Sequence, residues 1–156
     1  MPALGGEERL LLRGAYHGPR FSPDGQWVAA AISVSMQSKI VVAPVAGGAP
    51  RRIAEDFYMA TRPVWSPDGT KILFTGNRQQ ADPADWWIVP FDGGSAVKLG
   101  AGTIIAKITA GRAVAPFPTD WIEDRILISI GNLWRIPISR DYKLGAPERL
   151  TTSSAL

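Results

Sequence analysis

The sequence contains no cysteine and one histidine, His17. Without cysteine there can be no disulfide, no thiolate zinc site and no cysteine nucleophile, and the redox compartment stays open. A Ser-His-Asp relay would have to run through His17, yet no Gly-x-Ser-x-Gly elbow is present. Gly93-Gly94-Ser95-Ala96-Val97 falls short of that motif and sits in a turn. Clustered basic charge is also missing. Lys and Arg number 17 against 14 Asp and Glu, a net +3, but they are scattered and Arg51-Arg52 is the only basic doublet. A nucleic-acid surface shows a basic stripe, so no nucleic-acid partner is expected. No apolar run approaches the roughly 18 residues of a membrane span, so no membrane insertion is expected. Met1-Pro2-Ala3-Leu4-Gly5-Gly6 lacks the charged and apolar regions of a signal peptide. If the parent protein is exported, its signal lies outside this chain.

Two stretches organise the sequence: Phe21-Ser22-Pro23-Asp24-Gly25 and Trp65-Ser66-Pro67-Asp68-Gly69. Each is an aromatic residue, the same four-residue turn, then an apolar strand. Proline presets φ for the second turn position, Asp hydrogen-bonds its own backbone, and glycine takes the positive φ that the return demands. Two such corners 44 residues apart are a repeat. Asp24 and Asp68 therefore read as turn residues and not as a carboxylate pair. Glu55-Asp56, Asp82, Asp85 and Glu123-Asp124 read as solvated loop charges and not as metal ligands. The expectation is no catalytic residue, no metal and no cofactor.

The strands around each corner follow one plan. Gly5-Gly6, Gly47-Gly48 and Gly93-Gly94 each precede a short polar-then-apolar strand. The chain thus begins with a lone last strand over 5–12. A first unit spans 16–54 and a second 60–99, each with four short strands. Pro44 and Pro90 close the third strand of each, where a missing donor suits a strand end. A degenerate third unit spans 113–151, with Pro137 in the proline slot and a Gly131-Asn132 hairpin. Its corner is Pro118-Thr119-Asp120-Trp121-Ile122-Glu123-Asp124, which lacks the glycine. In the connector 100–116, residues 103–108 read as a possible extra strand. Trp86-Trp87 and Trp134 fall on third strands, where packing between neighbouring units accounts for them.

Units of four short strands repeating at about 45 residues are blades of a β-propeller. The aromatic-Ser-Pro-Asp-Gly corner, the proline-ended third strand and Asp92-Gly93-Gly94 together resemble the WD40-like (PD40) repeat of TolB-type propellers. The resemblance runs from residue 5 to 151, strong in two blades and weak in the third. It implies an all-β chain of four-stranded antiparallel blades, three blades plus one lone strand. That is a partial propeller, the favoured expectation, or half of an oligomeric ring closed by self-association. The same repeat occurs in TolB, in propellers of prolyl-oligopeptidase and dipeptidyl-peptidase relatives, in tricorn-like proteins and in bacterial sensor domains. It implies a non-catalytic binding or scaffold module for a protein or peptide, as part of a larger bacterial protein. The alternative is the substrate-gating propeller of a serine hydrolase whose catalytic domain lies elsewhere. The compartment is not fixed; a periplasmic setting is compatible with the resemblance.

Antiparallel strands put the short corners on one face and the longer connections, 13–19, 33–38, 55–61, 76–85 and 100–116, on the other. Binding residues concentrate on such loops. The expected contact residues there are Tyr16, His17, Met36, Phe57, Tyr58, Met59, Arg78, Gln79 and Arg112, types enriched at interface centres. For Phe57 and Tyr58 the competing reading is packing against the neighbouring blade.

Overall fold

The structure is a computed structural model and describes residues 9–112, 114–115 and 117–152. Blade one contains β1 (Tyr16–Phe21), β2 (Trp27–Val34), β3 (Gln37–Pro44) and β4 (Arg51–Ile53). Blade two contains β5 (Met59–Trp65), β6 (Lys71–Asn77), β7 (Asp85–Pro90) and β8 (Val97–Lys98). Helix α1 (Ala101–Ile108) follows. Blade three contains β9 (Asp120–Ile122), β10 (Arg125–Ile130), β11 (Asn132–Pro137) and β12 (Glu148–Arg149). Strands pair antiparallel in sequence order within each blade. One parallel bridge, Ser38 to Met59, joins blades one and two. β1 lies beside β5, and β5 beside β9, so the first strands converge on an inner wall. The sheets do not close on themselves. The fold is a partial β-propeller.

Side-chain alternation along each strand divides the core in two. On β6, Ile72 and Phe74 enter the cluster shared with blade one, whereas Leu73 enters the cluster shared with blade three. On β7, Val89 goes one way, and Trp86 and Ile88 the other. Blade two is therefore buried on both faces, which explains its near-continuous apolar strands. Each such buried side chain stabilises the fold by about 1.5–3 kcal/mol.

Between blades one and two the packing ends in an aromatic cap. Phe91 meets Trp27 and Trp65, each at 5.0 Å between ring centroids. Arg51 covers Phe91 at 4.5 Å and donates to its carbonyl oxygen. Trp65 Nε1 donates to Arg20 O at 3.0 Å. The same positions recur one blade earlier. Arg9 stands in the Gly-Gly-x-x-Arg spacing that Arg51 occupies, and its guanidinium fills the space a Cβ on Gly47 would take. Phe21 stands where Trp65 does, but it is 64% exposed against 5% for Trp65.

Several elements differ from the sequence expectation. Of the lone strand 5–12, residues 5–8 lie outside the described residues, and 9–12 form no strand. No neighbouring strand among the described residues pairs with them. The connection 33–38 is not a long loop. β2 and β3 pair up to Val34 and Gln37, and Ser35 and Met36 turn with φ of 48° and 28°. Two positive φ values match the twist of the flanking strands, and without an Asn-Gly pair the turn is not legible. Residues 103–108 are helical. Ala101, Ile104, Ile105 and Ile108 recur at i, i+3, i+4 and i+7, and the stripe joins the cluster between blades two and three, beside β7. In the third corner, residues 120–122 form strand β9, and Glu123 makes the reversal at φ 51° without glycine.

Asp85 also departs from expectation. It is 8% exposed, and its Oδ1 accepts the Trp86 N–H at 2.7 Å and the Ala101 N–H at 2.6 Å. It satisfies a helix-start donor that no cap side chain reaches. Asp85 is a structural anchor for α1, with Lys98 at 3.8 Å.

The corners are built as their residues require. Gly25 and Gly69 both sit at φ 70°. Gly69→Val should destabilise the fold by about 1–2 kcal/mol. Chemical denaturation measures it; an unchanged midpoint contradicts the turn geometry.

Candidate functional site

β1 and β5 carry a β-bulge at the same place, between His17 and Arg20 and between Thr61 and Val64. Each bulge holds an X-Pro pair, Gly18-Pro19 or Arg62-Pro63. Proline lacks a ladder donor, and a bulge absorbs the lost bond. The residue before it has positive φ in both: 61° at Gly18 and 54° at Arg62. Glycine adopts this without strain. For an arginine the left-handed region costs roughly 1–2 kcal/mol, and the following proline restricts it further.

The strained residue reaches across the inner wall. Arg62 Cδ passes 4.0 Å from the place of a Cβ on Gly18, in blade one. Its guanidinium lies 5.1 Å from the centroid of Phe117, which leads into blade three. A cleft of about 220 Å³ opens here, lined by Arg20, Arg62, Val64, Phe117, Thr119 and Ser129 together with Gly18, Pro63 and Pro118. Among the described residues no carboxylate lines it. Arg20 and Arg62 are exposed, and among the described residues neither is in an ion pair. Neither arginine is among the expected contact residues. A readable signal exists: Pro19-Arg20-Phe21-Ser22-Pro23 and Pro63-Val64-Trp65-Ser66-Pro67 share a second proline four residues before the corner proline.

The expected contact residues scatter over the other elements. Tyr16 and His17 start β1 and are half-buried. His17 Nε2 lies 3.3 Å from Thr61 Oγ1, tying the first strands of two blades together. Phe57 does not belong to any contact surface. It is 1% exposed and packs edge-on against Phe74 and Trp87 at 4.9 and 4.8 Å. The apolar ring is worth more between blades than in water. Tyr58 and Met59 are half-buried beside it. Arg78 covers Phe57 and Trp87, each at 5.2 Å, and pairs with Asp56 at 3.3 Å. Gln79 is exposed in the 78–84 loop, and Met36 is 94% exposed at its hairpin tip. Arg112 stands apart beyond α1, in an apolar cleft with Ile105 and Val114.

On the opposite face the corner carboxylates are held by their turns. Asp24 Oδ1 accepts from Ser22 Oγ at 2.5 Å and from the Gln26 N–H at 3.0 Å. Asp68 Oδ1 accepts from Ser66 Oγ at 2.6 Å and from the Thr70 N–H at 3.0 Å. A third copy, unread in the sequence, lies at Ser139-Arg140-Asp141-Tyr142-Lys143. Ser139 Oγ donates to Asp141 at 2.6 Å, and Tyr142 takes φ 63° where the others have glycine. The serine hydroxyl is the main cause that lowers all three carboxyls, Asp68 to about 2. Among the described residues no group of three or more His, Asp or Glu is placed to hold a metal ion.

Comparison with known proteins places this geometry. Residues 9–111 match the family model described as TolB beta propeller domain. The structure of a putative TolB from Agrobacterium tumefaciens superposes at TM-score 0.59 with 27% identity, over 86% of this chain and 45% of that one. TolB from Acinetobacter baumannii superposes at 0.59 with 15% identity, over 81% and 30%. The β-propeller domain of the Trilobed protease from Pyrococcus furiosus, described as having an open velcro topology, matches at 0.59 with 21% identity, over 90% and 44%. This chain thus spans less than half the length of each.

The lowered carboxyls set an acid limit. Asp68 binds its proton less tightly folded than unfolded, about 2 against 3.8. Its contribution is fully present above the unfolded value and is lost as pH falls from 3.8 toward 2. Asp24 and Asp141 act in the same direction. Asp68→Asn should lower the melting temperature at neutral pH and lose less on acidification than the parent. Parallel melting curves against pH for the two would refute it.

Proposed function

The chain belongs to the TolB beta propeller domain family, and from that membership we propose that it is a non-catalytic module whose inner wall and loop rim bind a protein or peptide partner. The observation that carries this reading is Arg62. Backbone strain that a glycine relieves in the neighbouring blade is retained where a charged side chain enters an open cleft. Strain of this kind concentrates at binding sites. Two further observations support it. The one histidine is engaged with Thr61 in the joint between first strands, and the corner carboxylates are engaged in turns.

The likeness to the Trilobed protease propeller, at 21% identity, is one of fold alone and does not favour a substrate-gating role. Self-association has its own support. Phe21 is exposed where Trp65 is buried against a preceding blade, and Arg9 stands in the spacing that Arg51 occupies one blade later. That flank fits a further blade, from a longer chain or a second copy.

Panning a random peptide library on the purified chain tests the proposal. Enriched peptides should share a consensus, bind reversibly and remain uncleaved. Failure to enrich, or turnover that disappears in His17→Ala, would overturn it.

A further inference from the structure

We infer that the inner-wall cleft is a receptor for the free carboxylate at the end of a peptide chain, with Arg20 and Arg62 as its two cationic contacts. The inference rests on the partner-binding reading above and names the chemistry recognised.

Two arginines line the cleft and, among the described residues, no acid does. Like charges gathered on one wall without a counter-ion fit an anion supplied from outside. The type of cation points to a planar one. The Arg62 guanidinium lies over the Phe117 ring, 5.1 Å from its centroid, and among the described residues it is in no ion pair. A guanidinium carries its N–H donors in a planar fork that suits a two-pronged bond to a carboxylate. Arg20 is held by its own backbone: its carbonyl accepts the Trp65 indole N–H at 3.0 Å, while its Nη1 makes one hydrogen bond, to Pro19 O at 3.3 Å.

The other lining residues fit the last residue of a chain better than an internal acidic side chain. Phe117, Pro118 and Val64 form an apolar wall, and Thr119 and Ser129 place hydroxyls beside it. A terminal residue brings one carboxylate, one side chain and one amide to such a site. About 220 Å³ accommodates little more. An internal Asp or Glu must bring the chain in and out on both sides.

The strain at Arg62 supplies an independent reason. Gly18 occupies the corresponding bulge in blade one, so the backbone is served by glycine. Arg62 keeps φ at 54° before a proline, and what it adds over glycine is the side chain in the cleft.

The test uses N-acetyl-phenylalanine as a probe of a chain terminus, followed by NMR titration of the arginine Nε–H signals. The probe should shift the signals of Arg20 and Arg62 and saturate in the millimolar range. N-acetyl-phenylalanine amide should produce no shift. Arg62→Gly should weaken probe binding at least tenfold while its melting temperature stays equal to the parent's or rises, because the strain is relieved. Arg20→Ala should weaken binding to a similar degree. Probe binding unchanged in both variants would overturn the assignment, as would no binding by the folded parent. Equal binding of N-acetyl-aspartic acid α-amide would replace the terminal carboxylate by a side-chain one. Equal binding of inorganic phosphate would show an unspecific anion site. Library peptides that still bind Arg62→Gly at parental affinity would overturn this site while leaving partner binding standing.

Discussion

A blade of four short strands has two apolar faces and cannot bury either by itself. Every other feature of this structure follows from that constraint. Blade two satisfies it completely, with Ile72 and Phe74 packed toward one neighbour and Leu73, Trp86 and Ile88 toward the other. The aromatic cap of Trp27, Trp65 and Phe91, covered by Arg51, closes the junction on the side of the tight corners. Arg51 donates from blade one to a backbone carbonyl of blade two, and Trp65 from blade two to one of blade one. These bonds fix the angle between blades as well as their contact.

The outer flanks meet the constraint differently. Blade one leaves Phe21 exposed where the repeat elsewhere buries an aromatic residue. Blade three presents a charged pair, with Arg135 donating to both carboxylate oxygens of Glu148 at 2.7 Å. One flank carries an exposed aromatic residue, and the other an exposed ion pair. Degeneracy of the third repeat thus has a physical counterpart. Its first-strand corner is shortened, and the Ser-x-Asp turn has moved to the corner after β11.

Rigid corners and packed junctions hold the inner wall in place, and the wall is where the regular pattern is broken. The two bulges interrupt β1 and β5 at X-Pro pairs, and helix α1 replaces part of a connector. α1 is itself anchored by a buried carboxylate from β7. The exposed arginines of the inner-wall cleft sit beside these breaks, whereas the corner carboxylates are engaged in their own turns.

The sequence by itself determined the repeat, the blade architecture and the corners, because each rests on local physics. Ser-Pro-Asp-Gly specifies its turn within four residues, and apolar strands of fixed spacing specify a sheet. It also determined that Asp24 and Asp68 are turn residues. Only the tertiary structure decided which face of each strand meets which blade. It withdrew Phe57 into a junction, made Asp85 the anchor of a helix, and turned residues 103–108 from a β-branched run into that helix. Each outcome depends on neighbours far away in the chain. The pairing of Arg20 with Arg62 in one cleft was equally beyond local reading, since their residues lie in different blades. The positive φ at Arg62 comes from a bulge, and a bulge is a property of two paired strands and not of either alone.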